Sequence, residues 1–117
     1  MILRKPETEE KYGRHKITEV FMRECMLCRA LPLQSFRFWK IIKNDFPYDM
    51  IADVHHMLIP MRHVAESELT DDERAEFDEI KNSYLEMHYD GIYENMSKGK
   101  TIPAHAHIHL WVFKTSL

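Results

Sequence analysis

The 117 residues contain no apolar run near the ~20 that a helix needs to cross a bilayer, so no membrane-spanning helix is expected. Glycine is scarce, with three in all, and the five prolines are scattered, so no Pro/Gly/Ser-rich linker divides the chain. There is no internal repeat and no low-complexity segment. One domain over residues 1–117 follows, with one hydrophobic core. Charge of one sign is also lacking: the formal net charge is −3 and no Lys/Arg cluster runs beyond a few residues. That excludes an extended nucleic-acid surface, although a small nucleotide needs only a few well-placed donors. The N-terminal stretch turns acidic at once, without an apolar segment or small-residue cleavage site, which points to a cytoplasmic protein. Cysteine is limited to Cys25 and Cys28. In a reducing compartment a C-x-x-C pair suggests a metal or redox site more than a structural disulfide.

What is present reads as an α+β chain. Residues 1–14 are polar and charged, consistent with a loose or docked arm. Ile17, Val20, Phe21 and Glu24 fall at helical spacing, so a short helix is expected over 15–24. Residues 35–43 are rich in aromatic and β-branched types and predict a strand, with Phe36, Phe38, Lys40 and Ile42 on one face. A loop over 44–49 precedes a second strand over 55–60, stopped by Pro60. Thr70 followed by Glu73 is a capping box, and it starts a helix of about residues 71–89 with Phe77, Ile80, Tyr84 and Met87 as the buried stripe. Two more strands, over 91–96 and 104–113, complete an antiparallel sheet.

The chemistry concentrates in the last of these strands. His105, His107 and His109 alternate with Ala106, Ile108 and Leu110, so a strand puts three imidazoles on one side. One histidine there is ordinary; three at strict alternation in an apolar strand are costly to bury without partners. They cannot all bind one ion, because i, i+2 and i+4 positions span roughly 13 Å at ~3.3 Å per residue, against metal–nitrogen bonds of ~2 Å.

The segment from His105 to Trp111 resembles the signature of the histidine triad family, His-φ-His-φ-His-φ-φ with φ hydrophobic. Upstream, Asn44-Asp45-Phe46-Pro47-Tyr48, the stretch from His55 through Pro60 to His63-Val64, and Glu68-Leu69-Thr70 before a helix are similar to the family's other elements, in the same order. The resemblance covers about residues 25–113. It implies a sheet of about five strands with one long and one short helix, a nucleotide or nucleoside-phosphate substrate, and a homodimer. By resemblance His107 is the nucleophile that attacks the α-phosphorus and forms a covalent nucleotidyl-histidine intermediate. His109 and His55 contact the phosphate, Asn44 the ribose, and Asn95 lines the site. The family's Gly-Gln element stands here as Gly99-Lys100, and Thr101 is a candidate hydroxyl donor in its place. One branch of the family holds a structural zinc, and its ligands correspond to Cys25, Cys28, His63 and His105. The resemblance leaves two classes open: a nucleotide hydrolase or nucleotidyl transferase, and a nucleotide- or zinc-binding module with little activity.

Overall fold

The computed structural model describes residues 3–22, 25–96 and 105–115, the side chains of 15–22 excepted. Helix α1 (Pro6–Met22) and a single helical turn α2 (Met26–Arg29) lead into β1 (Gln34–Ser35), β2 (Trp39–Lys43) and β3 (Ala52–Pro60). Helix α3 (Asp71–Ile80) continues through a π-helical turn (Lys81–Leu85) into α4 (Glu86–His88), followed by β4 (Gly91–Tyr93) and β5 (Ile108–Phe113). The five strands form one antiparallel sheet in the order β1-β2-β3-β5-β4. The α+β class and the antiparallel sheet agree with the expectation from the residues, and the five strands with what the family resemblance implies.

Strand alternation gives the sheet two unlike faces. Trp39, Ile41, Leu58 and Leu110 point to the helical side and pack with Ile80 and Leu85, flanked by Phe77 and Tyr84. Ile42, Met57 and Ile59 point the other way and pack, among the described residues, with Leu27 of α2, Cys25 and Ala30. One face therefore carries the main core. The other stays partly open, and the functional residues gather there.

The α3 start follows the capping rule. The Thr70 hydroxyl accepts from the Glu73 amide at 3.1 Å while the Glu73 carboxylate accepts from the Thr70 amide at 2.9 Å. That carboxylate is buried and also takes the Arg62 guanidinium at 2.8 Å, and the Glu73 carbonyl accepts the Trp39 indole N–H. The helix cap, the β3–α3 connection and the core are thus tied at one residue.

Several boundaries differ from the sequence reading. The N-terminal helix starts at Pro6, so most of the expected arm is helical; proline suits a first turn, where no amide partner is needed. The strand expected over 35–43 is two strands joined by a tight turn. Glu76 of α3 caps that turn by accepting the amides of Arg37 and Phe38. Phe36 and Phe38 consequently pack on the helical side rather than beside Lys40 and Ile42. Met87 is 80% exposed, and Leu85 is the buried residue instead. A π turn has more residues than an α turn, which rotates everything after it around the axis.

The last strand begins at Ile108, not near 104. Its pairing with β3 ends at Leu58–Ile108, while β3 itself continues to Pro60, which has no N–H for a ladder. Before Ile108 the chain follows the connection after β3, with the Ala106 amide donating to the Val64 carbonyl at 2.7 Å. His105 and His107 therefore lie outside the ladder and are free of its strict alternation.

Replacing Glu73 by Gln removes the charge that answers Arg62 and weakens the cap, at a cost of about 1–2 kcal/mol. The Arg62 hydrogen bond, ahead of the Thr70 bonds, holds this carboxyl down from 4.5 to about 2. Its folded value is below its unfolded one, so the contribution is present above ~4.5 and lost as pH falls toward ~2. Urea unfolding should show a lower midpoint for Glu73→Gln at pH 7, with the difference from the parent narrowing between pH 5 and pH 2.

Candidate functional site

Two clusters share the open face. In the first, Cys25 and Cys28 flank the start of α2, His63 lies in the turn after β3, and His105 precedes β5. One donor atom from each falls within 4.8 Å of all the others. The Cys25 and Cys28 sulfurs are each 3.4 Å from His105 Nδ1, and Cys28 Sγ is 3.1 Å from His63 Nδ1. Tetrahedral zinc with Zn–S of ~2.3 Å and Zn–N of ~2.0 Å sets sulfur and nitrogen ligands about 3.5 Å apart. The four residues could hold such an ion.

The protons agree with the distances. His105 Nε2 is 3.1 Å from the Pro60 carbonyl, which can only accept, so Nε2 carries the proton. Nδ1 then presents its lone pair to the two sulfurs. A ligating histidine is commonly oriented by a carbonyl in this way. Without a cation, burial lowers His105, and partial burial together with Cys25 raises the Cys28 thiol. A divalent ion reverses that tendency, since it deprotonates the thiols it binds.

In the second cluster, main-chain groups set the tautomers. The Tyr48 amide donates to His55 Nδ1 at 2.9 Å, so the proton of neutral His55 is on Nε2. That N–H faces His109 Nδ1 at 2.7 Å and donates to it, which puts the proton of His109 on Nε2. His109 Nε2 is buried and has no hydrogen-bond partner among the described residues. The chain from the Tyr48 amide thus ends in a buried, unanswered donor. Burial, ahead of neighbouring charges, lowers His55 to about 4 and His109 to about 3, so both are neutral near pH 7. His107 is held separately: its Nδ1 is 3.0 Å from the His105 carbonyl and donates to it, leaving the lone pair on Nε2. The His107 and His109 rings are 5.5 Å apart.

Both rings line a cleft of about 470 Å³, together with Met26, Leu27 and Ala30 of the α2 region, Ile42, Asn44, Tyr48, Met57 and Asn95. This is within the usual size range for a small-molecule site, and the apolar wall stands beside charged groups, Arg4, Arg29, Lys43 and Asp45. Asn44 is buried; its side-chain oxygen accepts the Phe46 amide at 2.8 Å, and its NH2 group lies 3.4 Å from His55 Nε2. Asn95 reaches the Tyr48 hydroxyl.

The structure thus divides the sequence candidates. Cys25, Cys28, His63 and His105 come together in one cluster, and His107, His109, Asn44 and Asn95 line the cleft. His55 is not among the lining residues: the Tyr48 amide meets its Nδ1, and His109 and the Asn44 NH2 group lie against its Nε2, so it stands behind His109. Thr101 and Lys100 lie outside the described residues. His56 points to the helical face and bonds the Tyr89 hydroxyl at 2.7 Å. Sequence reasoning missed Arg4, Tyr12 and Tyr48 as cleft residues. The first two stand more than 30 positions from Phe46, on which both pack, and no local periodicity signals such a contact. Tyr48 lies inside the Asn44–Tyr48 element, but its role comes through the main chain, which carries no side-chain signature.

Residues 6–113 match the model of a family described as "Protein of unknown function (DUF3605)". No curated protein sequence matches the chain. Among solved structures, a histidine triad family hydrolase from Legionella pneumophila Philadelphia 1 is 19% identical, over 80% of this chain and 96% of that one, with a TM-score of 0.56. A histidine triad protein from Clostridium difficile is 16% identical, over 80% and 92%, with a TM-score of 0.57. A histidine triad nucleotide-binding protein from Candida albicans is 17% identical, over 74% and 73%, with a TM-score of 0.53. The shared feature is the fold.

The lowered histidines define a pH window. Their folded values lie below an unfolded value near ~6.5, so their contribution to stability is complete above ~6.5. It is lost as pH falls through about 4 and then about 3. Ring nitrogen and carbon NMR shifts of His55 and His109 should stay in the neutral range at pH 5.5, with Nε2 protonated on both. Midpoints at or above 6.5 would contradict the hydrogen-bond chain.

Proposed function

The chain belongs to the DUF3605 family and has the histidine triad fold, and on that footing we propose that it is a nucleotide hydrolase or nucleotidyl transferase acting at the α-phosphate. The observation that supports this reading most is that one cleft is lined by His107, whose Nδ1 proton goes to the His105 carbonyl, and by His109, whose Nε2–H has no partner among the described residues. A nucleophile and an unanswered donor facing one cleft suit an electrophile with anionic oxygens, and a phosphate ester is one. The base would rest against the apolar wall from Met26 to Ala30, with Asn44 toward the ribose and Asn95 toward the phosphate.

His107 Nε2 attacks phosphorus, an N–P bond forms, and the P–O or P–N bond to the leaving group breaks. The leaving group departs with the bonding pair and takes its proton from solvent. The imidazole retains its Nδ1 proton, so the intermediate carries positive charge on the ring, and the His105 carbonyl stabilises it. Water, or another acceptor in a transferase, then attacks phosphorus and gives up a proton. The N–P bond breaks and His107 returns in its starting tautomer. The His109 Nε2–H meets negative charge growing on the non-bridging oxygen. His55 is a positioning residue that fixes the His109 proton from behind.

The other cluster suits a structural zinc ion: two sulfurs and two imidazole nitrogens make a closed tetrahedral set with no open position for water. Cys25, Cys28, His63 and His105 would hold it, joining α2 and the turn after β3 to the segment that carries His107. A homodimer is proposed through the edge strand β4, where Ile92 and Tyr93 are exposed.

Incubation with a dinucleoside polyphosphate or nucleoside phosphoramidate, followed by intact-mass analysis, should detect a nucleotidyl adduct on the parent protein and none on His107→Ala. His109→Ala should lower kcat about 100-fold. Unchanged turnover in His107→Ala would overturn the nucleophile assignment. Elemental analysis should find one zinc per chain, lost in Cys25→Ser along with several degrees of thermal stability.

A further inference from the structure

His109, the donor placed at the phosphate in this reading, is neutral near pH 7, whereas any phosphate ester is anionic. A cation stands near them in the N-terminal segment. The Arg4 guanidinium lies 4.2 Å from the centre of the Tyr12 ring and 4.7 Å from that of Tyr48, and it lines the same cleft as His107 and His109. Its field reaches both His55 and His109. Tyr48 connects the two regions physically: its ring stacks on His109 at 5.3 Å, and its amide orients His55.

The placement of Arg4 is rigid. Its Nε donates to the Phe46 carbonyl at 2.6 Å, and one terminal nitrogen meets Glu9 at 3.3 Å. Its side chain is only 13% exposed, while that of Glu9 is 56% exposed and so screened by water. A nearly buried guanidinium opposed mainly by a solvated carboxylate retains most of its positive field. Nor is Arg4 needed simply to fasten the segment. The Met50 amide already bonds the Leu3 carbonyl at 2.9 Å, and Asp49 takes both the Lys5 amide and the Thr8 hydroxyl at 2.6 Å. Those ties alone would hold the arm across the Phe46–Met50 loop.

We propose that Arg4, held between Tyr12 and Tyr48, is a substrate-binding residue that receives the negative charge of the ligand's phosphate, so that the N-terminal segment selects nucleotides over nucleosides. The assignment rests on the nucleotide reading of the cleft. Five N–H donors in a fixed plane suit a phosphate better than the compact ammonium of lysine. Among the described residues the other cleft cations are Arg29, on the α2 side, and Lys43, at the end of β2; the Arg4 field reaches both neutral histidines.

The test is calorimetric binding of matched pairs, AMP with adenosine, GMP with guanosine and UMP with uridine, to the parent protein, Arg4→Gln and Arg4→Lys. For the pair with the preferred base, the parent should favour the nucleotide. Arg4→Gln should reduce that preference about tenfold with nucleoside affinity unchanged, and Arg4→Lys should fall between them. A parallel loss of nucleotide and nucleoside affinity in Arg4→Gln would make Arg4 an anchor only and overturn the proposal. So would a preference equal in all three proteins. Should Arg4→Gln fail to fold, Arg4→Lys with an unaltered preference would also overturn it. If the parent binds no member of any pair, the nucleotide reading itself fails, a result distinct from each of these.

Discussion

One main-chain hydrogen bond, from the Tyr48 amide to His55 Nδ1, orders the protons of the open face. An amide can only donate, so the first imidazole must accept on that nitrogen and carry its proton on the other. The 2.7 Å contact passes the same requirement to His109 and leaves its outer N–H without a partner among the described residues. Burial reinforces the arrangement, since both rings are held neutral and neither can become a two-donor cation near pH 7. The direction of a single backbone N–H thus determines the donor that the cleft presents.

Carbonyls do the equivalent work on the other two histidines. Pro60 takes the Nε2 proton of His105, and the His105 carbonyl takes the Nδ1 proton of His107. His105 therefore belongs to two constructions at once: its ring faces the cysteines, and its main chain orients the proposed nucleophile. A metal ion on Cys25, Cys28, His63 and His105 would stiffen the residue on which the His107 tautomer depends. In this way a structural ion can influence chemistry without touching a substrate.

The open face exists because the helical side already meets the needs of the core. Trp39, Ile41, Leu58 and Leu110 are covered by the long helix, and its start is tied at Glu73. Among the described residues the opposite face is covered by the short α2 and the N-terminal segment, and a cleft remains between them. The histidines of that face are buried, and main-chain groups answer a ring nitrogen of His55, His105 and His107, which offsets the cost of burying them.

Composition, alternation and the capping box determined the α+β class, the antiparallel sheet, the long helix from Thr70 and the residues around which the chemistry gathers. These are local properties, set by period-two and period-3.6 patterning and by side chains that bond within a turn. The Cys25, Cys28, His63 and His105 set was also legible, through a resemblance carried by short motifs in a constant order. The strand limits were not: β5 starts at Ile108 because β3 ends its ladder there, a constraint imposed by a partner 50 positions away. The shift of Met87 to solvent, the position of His55 behind His109 and the seat of Arg4 between two tyrosines are of the same kind. Sequence alone determined which groups were available. Tertiary structure decided which nitrogen of each histidine holds the proton, because that depends on the donors and acceptors that folding brings against it.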